Sequence, residues 1–246
     1  MKLLGVSWKL LRAMVHAVHG FWIIKTIFPR LEQVEQEGRV QAWAAEMLRI
    51  VGIELQVKGS APAQGPVLLV ANHISWLDIL VMHASRHCRF VSKSDVKAWP
   101  FVSTLANGAG TLYIERESRR DAHRLVRQMA ERLRSGDILA VFPEGTTGDG
   151  ITLLPFHANL IQAAIEASVP VQPVALRFID TASGQVSFAP SYVGDETLIG
   201  SIWRTLTATG LKAVVTFGEA QAAQGHTRRS WAQALRGEIE RLRQSP

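Results

Sequence analysis

The run Val67-Leu-Leu-Val-Ala71 passes without a break into Asn72-His73-Ile-Ser-Trp-Leu-Asp78. Its continuous apolar character, opened by Pro66, predicts a buried strand, and strands buried on both faces belong to sheets covered by helices. Ile138-Leu-Ala-Val-Phe142 repeats the pattern and runs into Pro143-Glu144-Gly145-Thr146-Thr147. Working outward, residues 53–58 alternate apolar and polar as a half-buried strand, and residues 89–92, 110–114, 171–178 and 213–217 read as further strands. Helical spacing fills the intervals. It covers residues 76–87, residues 121–134 with Leu125, Met129 and Leu133 on one face, residues 160–167, and a closing helix striped by Trp231, Leu235, Ile239 and Leu242. Residues 31–52 form a charged helix stopped by Gly52, with Val34, Trp43, Met47 and Leu48 as candidate packing positions. Strands alternating with helices predict an α/β fold, a mixed and mostly parallel sheet flanked by helices. The expected division is a helical, amphipathic, membrane-docking segment over 1–52, an α/β domain over 53–218, and a C-terminal helix over 219–246 packed on that domain.

Composition narrows the partners. The chain has 246 residues, and 27 Lys and Arg against 21 Asp and Glu leave a net charge of +6. That balance predicts anionic partners: nucleic acid, a phospholipid surface or a phosphorylated substrate. Nucleic acid is disfavoured, because no recognised fold signature accompanies the charge and there are only two Tyr. A single cysteine, Cys88, excludes an intramolecular disulfide and a Cys-rich metal site, and fits a reducing compartment or indifference to redox. The first thirty residues carry only positive formal charges. At about 100° per residue, Leu4, Trp8, Leu11, Val15, Val18 and Trp22 fall on one line, with Lys2, Lys9, Arg12, His16 and His19 on a flank. The longest stretch without Lys or Arg, residues 13–24, is shorter than the roughly 20 residues a spanning helix needs. No small-x-small cleavage site follows it. The pattern predicts a helix lying in the membrane interface; a core helix of a soluble bundle is the other reading.

Two strand ends carry chemistry. A His followed five positions later by an Asp can form a base and its orienting partner. On a regular helix the two would diverge by roughly 140°, so His73 must sit on the loop before the first turn. Asp78 would then hold one imidazole nitrogen as N–H and leave the other free to take a proton. Ser75-x-x-Asp78 also matches a capping box with Asp in place of Glu, and Pro-Glu-Gly-Thr alone is a turn. Both readings stay open on these residues alone. His83, His87 and Cys88 invite a zinc reading, but a helical pair supplies two ligands and no carboxylate sits between them, so no metal is expected. Arg228, Arg229, Arg236, Arg241 and Arg243 lie on a polar helix face, either touching headgroups or solvating it.

Taken together, four blocks stand in order at strand–loop junctions. They are Asn72-His73-x4-Asp78, Gly110-Thr-Leu-Tyr-Ile-Glu-Arg116, Phe142-Pro-Glu-Gly-Thr146 and Val169-Pro-Val-Gln-Pro-Val174. This resembles the signature of the glycerolipid acyltransferases, above all the 1-acylglycerol-3-phosphate acyltransferase branch. The resemblance implies the fold of that family and transfer of a fatty acyl chain from acyl-CoA or acyl-carrier protein to the sn-2 hydroxyl of 1-acyl-sn-glycerol-3-phosphate, giving phosphatidic acid. It implies His73 as general base, Asp78 as its orienting partner, and Arg116 holding the acceptor's phosphate. Glu144, Gly145 and Thr146 would shape the acceptor site, with Lys93, Arg119 and Arg120 adding positive charge. No acyl-enzyme and no cofactor beyond the acyl donor is implied; Cys88 has no basic partner close in sequence, and Ser75 is not in a nucleophile elbow.

One position departs from the pattern. Thr147 stands where many members of that branch have Arg, and the Glu-Gly-Thr-Thr form looks like the branch that acylates lyso-ornithine lipid. That acceptor is the alternative, and a catalytically idle lipid-binding membrane protein is the alternative of another class. The expected location is the surface of an anionic phospholipid membrane with the active site facing the cytoplasm, the inner membrane if the chain is bacterial.

Overall fold

The structure, a computed structural model, describes residues 2–93, 97–114 and 119–244; nothing is said of the side chains of Lys2, Leu3, Lys93, Ile114 and Arg119. The chain opens with α1 (Lys2–Thr26), a short 3-10 turn at Phe28–Arg30, and α2 (Gln33–Val51). The turn holds Pro29, and α2 begins at a capping box in which Glu32 and Glu35 each accept from the other's end of the first turn. The charged helix expected over 31–52 is α2, separated from α1 by this turn. Gly52 ends α2 at φ 83°, a left-handed conformation that a side chain would strain.

The α/β part follows as β1 (Ile53–Lys58), β2 (Val67–Ala71), α3 (Leu77–Ser85), β3 (Arg89–Lys93), α4 (Pro100–Gly108), β4 (Leu112–Ile114) and α5 (Arg119–Arg134). It continues through β5 (Ile138–Val141), α6 (Gln162–Ala167), β6 (Val171–Asp180), α7 (Leu198–Thr207), β7 (Leu211–Phe217) and α8 (Arg228–Gln244). The seven strands form one sheet in the order β1-β7-β6-β2-β5-β3-β4. Every pairing is parallel except β6 with β7.

The apolar runs of β2 and β5 are continuous because both faces are covered. Val67, Leu69 and Ala71 pack with Ile138 and Ala140 into a core shared with α2 and α3. Leu68, Val70, Leu139 and Val141 face the other way, toward α5, α6 and α8. The predicted stripes Leu125–Met129–Leu133 and Trp231–Leu235–Ile239 are buried in that second core. Val34 is the exception: expected to pack, it is exposed near the start of α2.

The α1 helix lies against α2 through a reciprocal pair. The Trp43 indole N–H donates to the His16 carbonyl at 3.1 Å, the His16 ring is 3.0 Å from the Trp43 carbonyl, and the two rings stack. A Cβ on Gly20 would meet the Trp43 indole nitrogen at 2.5 Å, so only glycine permits this approach. His16 thus belongs to an internal contact and not to an outward cationic flank. The outward stripe is the apolar one: Leu4, Trp8, Leu11, Val15, Val18 and Trp22 are all exposed. No described helix is long and apolar enough to cross a membrane.

The helices α4 and α7 lie where the sequence pattern gave no helix. No residue of α4 is fully buried, and α7 turns Ile199 and Trp203 outward while Ser201 and Thr205 share its inward face with Ile202 and Leu206, which dilutes the apolar stripe that periodicity detects.

At the end of α3, His83 and His87 stack at 5.3 Å inside the protein. Burial lowers their pKa values to about 3 and about 4, so both are neutral when folded. Unfolded histidines titrate near about 6.5, so below that pH the unfolded chain takes up protons that the native state refuses. Stability should therefore be full above that value and fall steadily as pH drops toward the folded values. His83→Leu should flatten that fall in urea titrations run across the same window; an unchanged pH slope would contradict it.

Candidate active site

Parallel strands bring their C-terminal ends to one edge, where reactive residues of open α/β sheets collect. Neighbouring strands β2 and β5 deliver Asn72-His73 and Phe142-Pro143-Glu144 there side by side. Lys93 closes β3 at the same edge, paired in register with Ile114 of β4. Arg116 lies outside the described residues.

Asn72 fixes the departure from β2. Its amide donates to the Leu176 carbonyl at 3.1 Å and accepts from the Leu176 N–H at 2.7 Å, matching a peptide group of β6 on both counts. This puts His73 on the loop before α3, as the His–Asp spacing requires. The His73 Nδ1 is 2.7 Å from the Asp78 Oδ2, and the same oxygen accepts from the N–H groups of Ile74 at 2.6 Å and Ser75 at 2.9 Å. Asp78 is fully buried. The capping function and the His–Asp pair are thus one arrangement. A carboxylate only accepts, so Nδ1 carries the proton and Nε2 is the bare, basic nitrogen. The His73 side chain keeps about a fifth of its surface exposed, enough for another molecule to reach it.

The ring is held on its flat side as well. Phe142 stacks on His73 at 4.1 Å and 7° between planes, and Phe90 stacks on Phe142 at 5.5 Å. Beyond Phe90 lies an apolar cavity of about 300 Å³, lined by Ile24 of α1, Trp43 of α2, Leu80 and His83 of α3, and Leu105 and Ala106 of α4. Two aromatic rings therefore separate the imidazole from this cavity. From sequence Phe142 reads only as part of its block and Phe90 only as part of a strand, because an aromatic in a strand reads as core until its neighbour is known.

Glu144 is buried and turned inward. Its Oε1 accepts from the His73 N–H at 2.7 Å and its Oε2 from the Leu154 N–H at 2.8 Å. Desolvation raises its pKa, opposed by those two amides. It ties the His73 loop to the loop after the Glu-Gly-Thr turn. The Gly148 N–H donating to the His73 carbonyl at 2.7 Å is a second tie. Gly145 sits at φ 74° with His157 against its Cα, where an added Cβ would meet the imidazole at 3.0 Å. Thr146 is exposed beside it, and the Thr147 hydroxyl donates to the Tyr192 carbonyl.

Two arginines of α8 act on the same loop. Arg236 donates to the carbonyls of Leu153 and Leu154, and Arg243 to those of Gly150 and Ile151. The reading of these cations as an outward polar face is corrected for both. The other reactive candidates do not join the site. Cys88 is buried in the core with its thiol pKa pushed up by desolvation, and no cluster of three metal-ligating side chains occurs among the described residues.

A family profile described as Acyltransferase matches residues 52–177. A lyso-ornithine lipid O-acyltransferase from Pseudomonas aeruginosa is 41% identical over 164 residues, 67% of this chain and 62% of that protein's length. A 1-acyl-sn-glycerol-3-phosphate acyltransferase from Neisseria gonorrhoeae is 39% identical over 78% of this chain and 74% of its own length. The crystal structure of a 1-acyl-sn-glycerophosphate acyltransferase from Thermotoga maritima shares the fold. It aligns with a TM-score of 0.73 at 18% identity, over 98% of this chain and 94% of that one.

The Glu144 tie can be tested by stability alone. Glu144→Gln turns one acceptor oxygen into a donor that faces a backbone N–H, leaving the amide of His73 or Leu154 unpaired. The expected loss is about 1–3 kcal/mol of unfolding free energy. Denaturant titration measures it, and an unchanged midpoint would show that water replaces the bond freely.

Proposed function

We propose that this chain, which belongs to the acyltransferase family, moves a fatty acyl group from a thioester donor to the free hydroxyl of a lysolipid. The observation that carries the reading is the 2.7 Å contact between the His73 Nδ1 and the buried Asp78, which leaves Nε2 as a base. In the reaction, Nε2 takes the acceptor's hydroxyl proton as that oxygen attacks the thioester carbonyl. Asp78 stabilises the imidazolium that results. Collapse of the tetrahedral intermediate forms the ester, breaks the carbon–sulfur bond and returns the proton from His73 to the departing thiolate. No covalent enzyme intermediate is needed.

The donor's fatty chain fits the apolar cavity behind Phe90, which offers almost no polar surface to an alkyl tail. Acyl-CoA and acyl-carrier protein present the same thioester and are both admitted. The first acceptor reading is 1-acyl-sn-glycerol-3-phosphate, acylated at its sn-2 hydroxyl, with Arg116 and Lys93 on the phosphate and the Glu-Gly-Thr turn at the acceptor's side. Lyso-ornithine lipid is the second reading. It is favoured by Thr147, whose hydroxyl is committed to Tyr192 and offers no cation to a phosphate. Both acceptors partition into bilayers, so the site must work at a membrane surface, with α1 as the docking helix and the active site facing the cytoplasm.

Purified protein given each lysolipid with labelled acyl-CoA should acylate one of the two. His73→Ala should lower turnover by a factor of about 10²–10⁴, with binding of the donor little changed. Retained turnover in that variant would remove the general base and the mechanism with it. Ala106→Phe should shift donor preference toward shorter chains; an unaltered preference would put the tail elsewhere.

A further inference from the structure

The exposed tryptophans are distributed one-sidedly. Four tryptophans are open to solvent: Trp8 at 60%, Trp22 at 59%, Trp99 at 57% and Trp203 at 47%. Trp8 and Trp22 are on α1, Trp99 caps α4 and Trp203 is on α7. Both α4 and α7 pack against α1, and Phe101 of α4 stacks on Phe21 of α1 at 5.4 Å. Exposed beside them are Phe101 and Val102 on α4 and Ile199, at 81%, on α7. Among the described residues, no large apolar side chain is exposed on α5, α6 or α8, which cover the opposite face of the sheet.

The charged residues of these helices are of one sign. Not one acidic residue occurs in α1, α4 or α7, and their charged residues are the cations Lys2, Lys9, Arg12, Lys25 and Arg204. Glu196, just before α7, is paired with Arg204 at 2.8 Å. Tryptophan favours the boundary between lipid headgroups and acyl chains, where its ring is buried and its N–H stays wet. An apolar face edged by cations without acids is complementary to an anionic bilayer.

We propose that α4 and α7 are membrane-docking elements in their own right, flanking α1, so that three helices and not one seat the protein on an anionic lipid surface. The consequence is positional. The apolar cavity is lined by Ile23 and Ile24 of α1 and by Val102 and Leu105 of α4. Docking through both helices sets the cavity that they line against the lipid. On the other side, the 186–207 segment touches the catalytic loop. The Ser75 hydroxyl donates to the Pro190 carbonyl at 2.5 Å, and the Trp76 indole donates to the Ser201 hydroxyl at 3.1 Å. An α7 held on lipid would therefore fix the height of His73 above the bilayer. The proposal rests on the reading that the substrates are lipids.

Vesicles of phosphatidylglycerol in phosphatidylcholine, with part of the lipid brominated along the acyl chains, quench tryptophans that enter the interface. The full chain carrying Trp8→Phe, Trp22→Phe, Trp99→Phe and Trp203→Phe together gives the background from Trp43, Trp76 and Trp231. Restoring Trp99 alone or Trp203 alone should each add quenchable fluorescence. Trp99→Ser with Trp203→Ser in the otherwise unaltered chain should weaken vesicle binding about tenfold or more at an unchanged melting temperature. Quenching confined to Trp8 and Trp22, or no binding to vesicles at all, overturns the proposal. Quenching at Trp99 and Trp203 in a protein that acylates no lysolipid supports the docking face while sinking the proposed reaction.

Discussion

A carboxylate removed from water survives as an anion only where donors replace the water it has lost, and the active-site edge is organised by that demand at Asp78. One oxygen collects three hydrogens: the Nδ1–H of His73 and the amides of Ile74 and Ser75. The two amides belong to the turn that leads into α3, so the helix start and the imidazole orientation are set by the same atom. Neither can shift without stranding a buried charge, a loss of about 3–5 kcal/mol where such a partner is removed. Asn72 and Glu144 extend the constraint. The first locks the end of β2 to a peptide of β6, and the second ties the His73 amide to the loop that follows β5.

From this anchor the rest of the edge can be followed outward. Phe142 presses on the open face of the imidazole, Phe90 continues the stack, and the apolar cavity begins beyond it. From the other side α8 grips the 150–154 loop by its carbonyls, through Arg236 and Arg243. The imidazole is thus held by its edge, its backbone and one face, while among the described residues no hydrogen bond claims Nε2. On the proposed reading that is the preorganisation a general base needs, because no reorientation is required as the acceptor arrives.

Much of this was legible in residue order. The apolar runs 67–71 and 138–142 fixed both the sheet and its doubly covered character, since each residue had to find a partner on alternating faces. The His73–Asp78 spacing was also readable, because five positions fit a loop followed by a first helical turn and nothing else that lets the side chains meet. The ambiguity between cap and His–Asp pair was real, and its resolution is that Asp78 makes both contacts. Glu144 was harder. A Glu in a Pro-Glu-Gly-Thr turn gives no sign of where its carboxylate points, and its amide partners lie at His73 and Leu154, far from it in sequence. Arg236 and Arg243 misled for a related reason: basic residues on a polar stripe look solvated until a distant loop supplies carbonyls. The helices α4 and α7 escaped because periodicity marks a buried apolar stripe: α4 buries no residue fully, and α7 sets Ser201 and Thr205 among its inward positions and Ile199 and Trp203 outside.

The behaviour of this edge turns on which nitrogen of His73 carries the proton. Histidine-labelled protein studied by NMR at mildly alkaline pH reports the two ring nitrogens separately, with the signal of His73 assigned by its loss in His73→Gln. The Asp78 contact requires a protonated Nδ1 with a strongly hydrogen-bonded, downfield proton, and a bare Nε2. The opposite tautomer, or an Nδ1 proton exchanging freely with solvent, would contradict it.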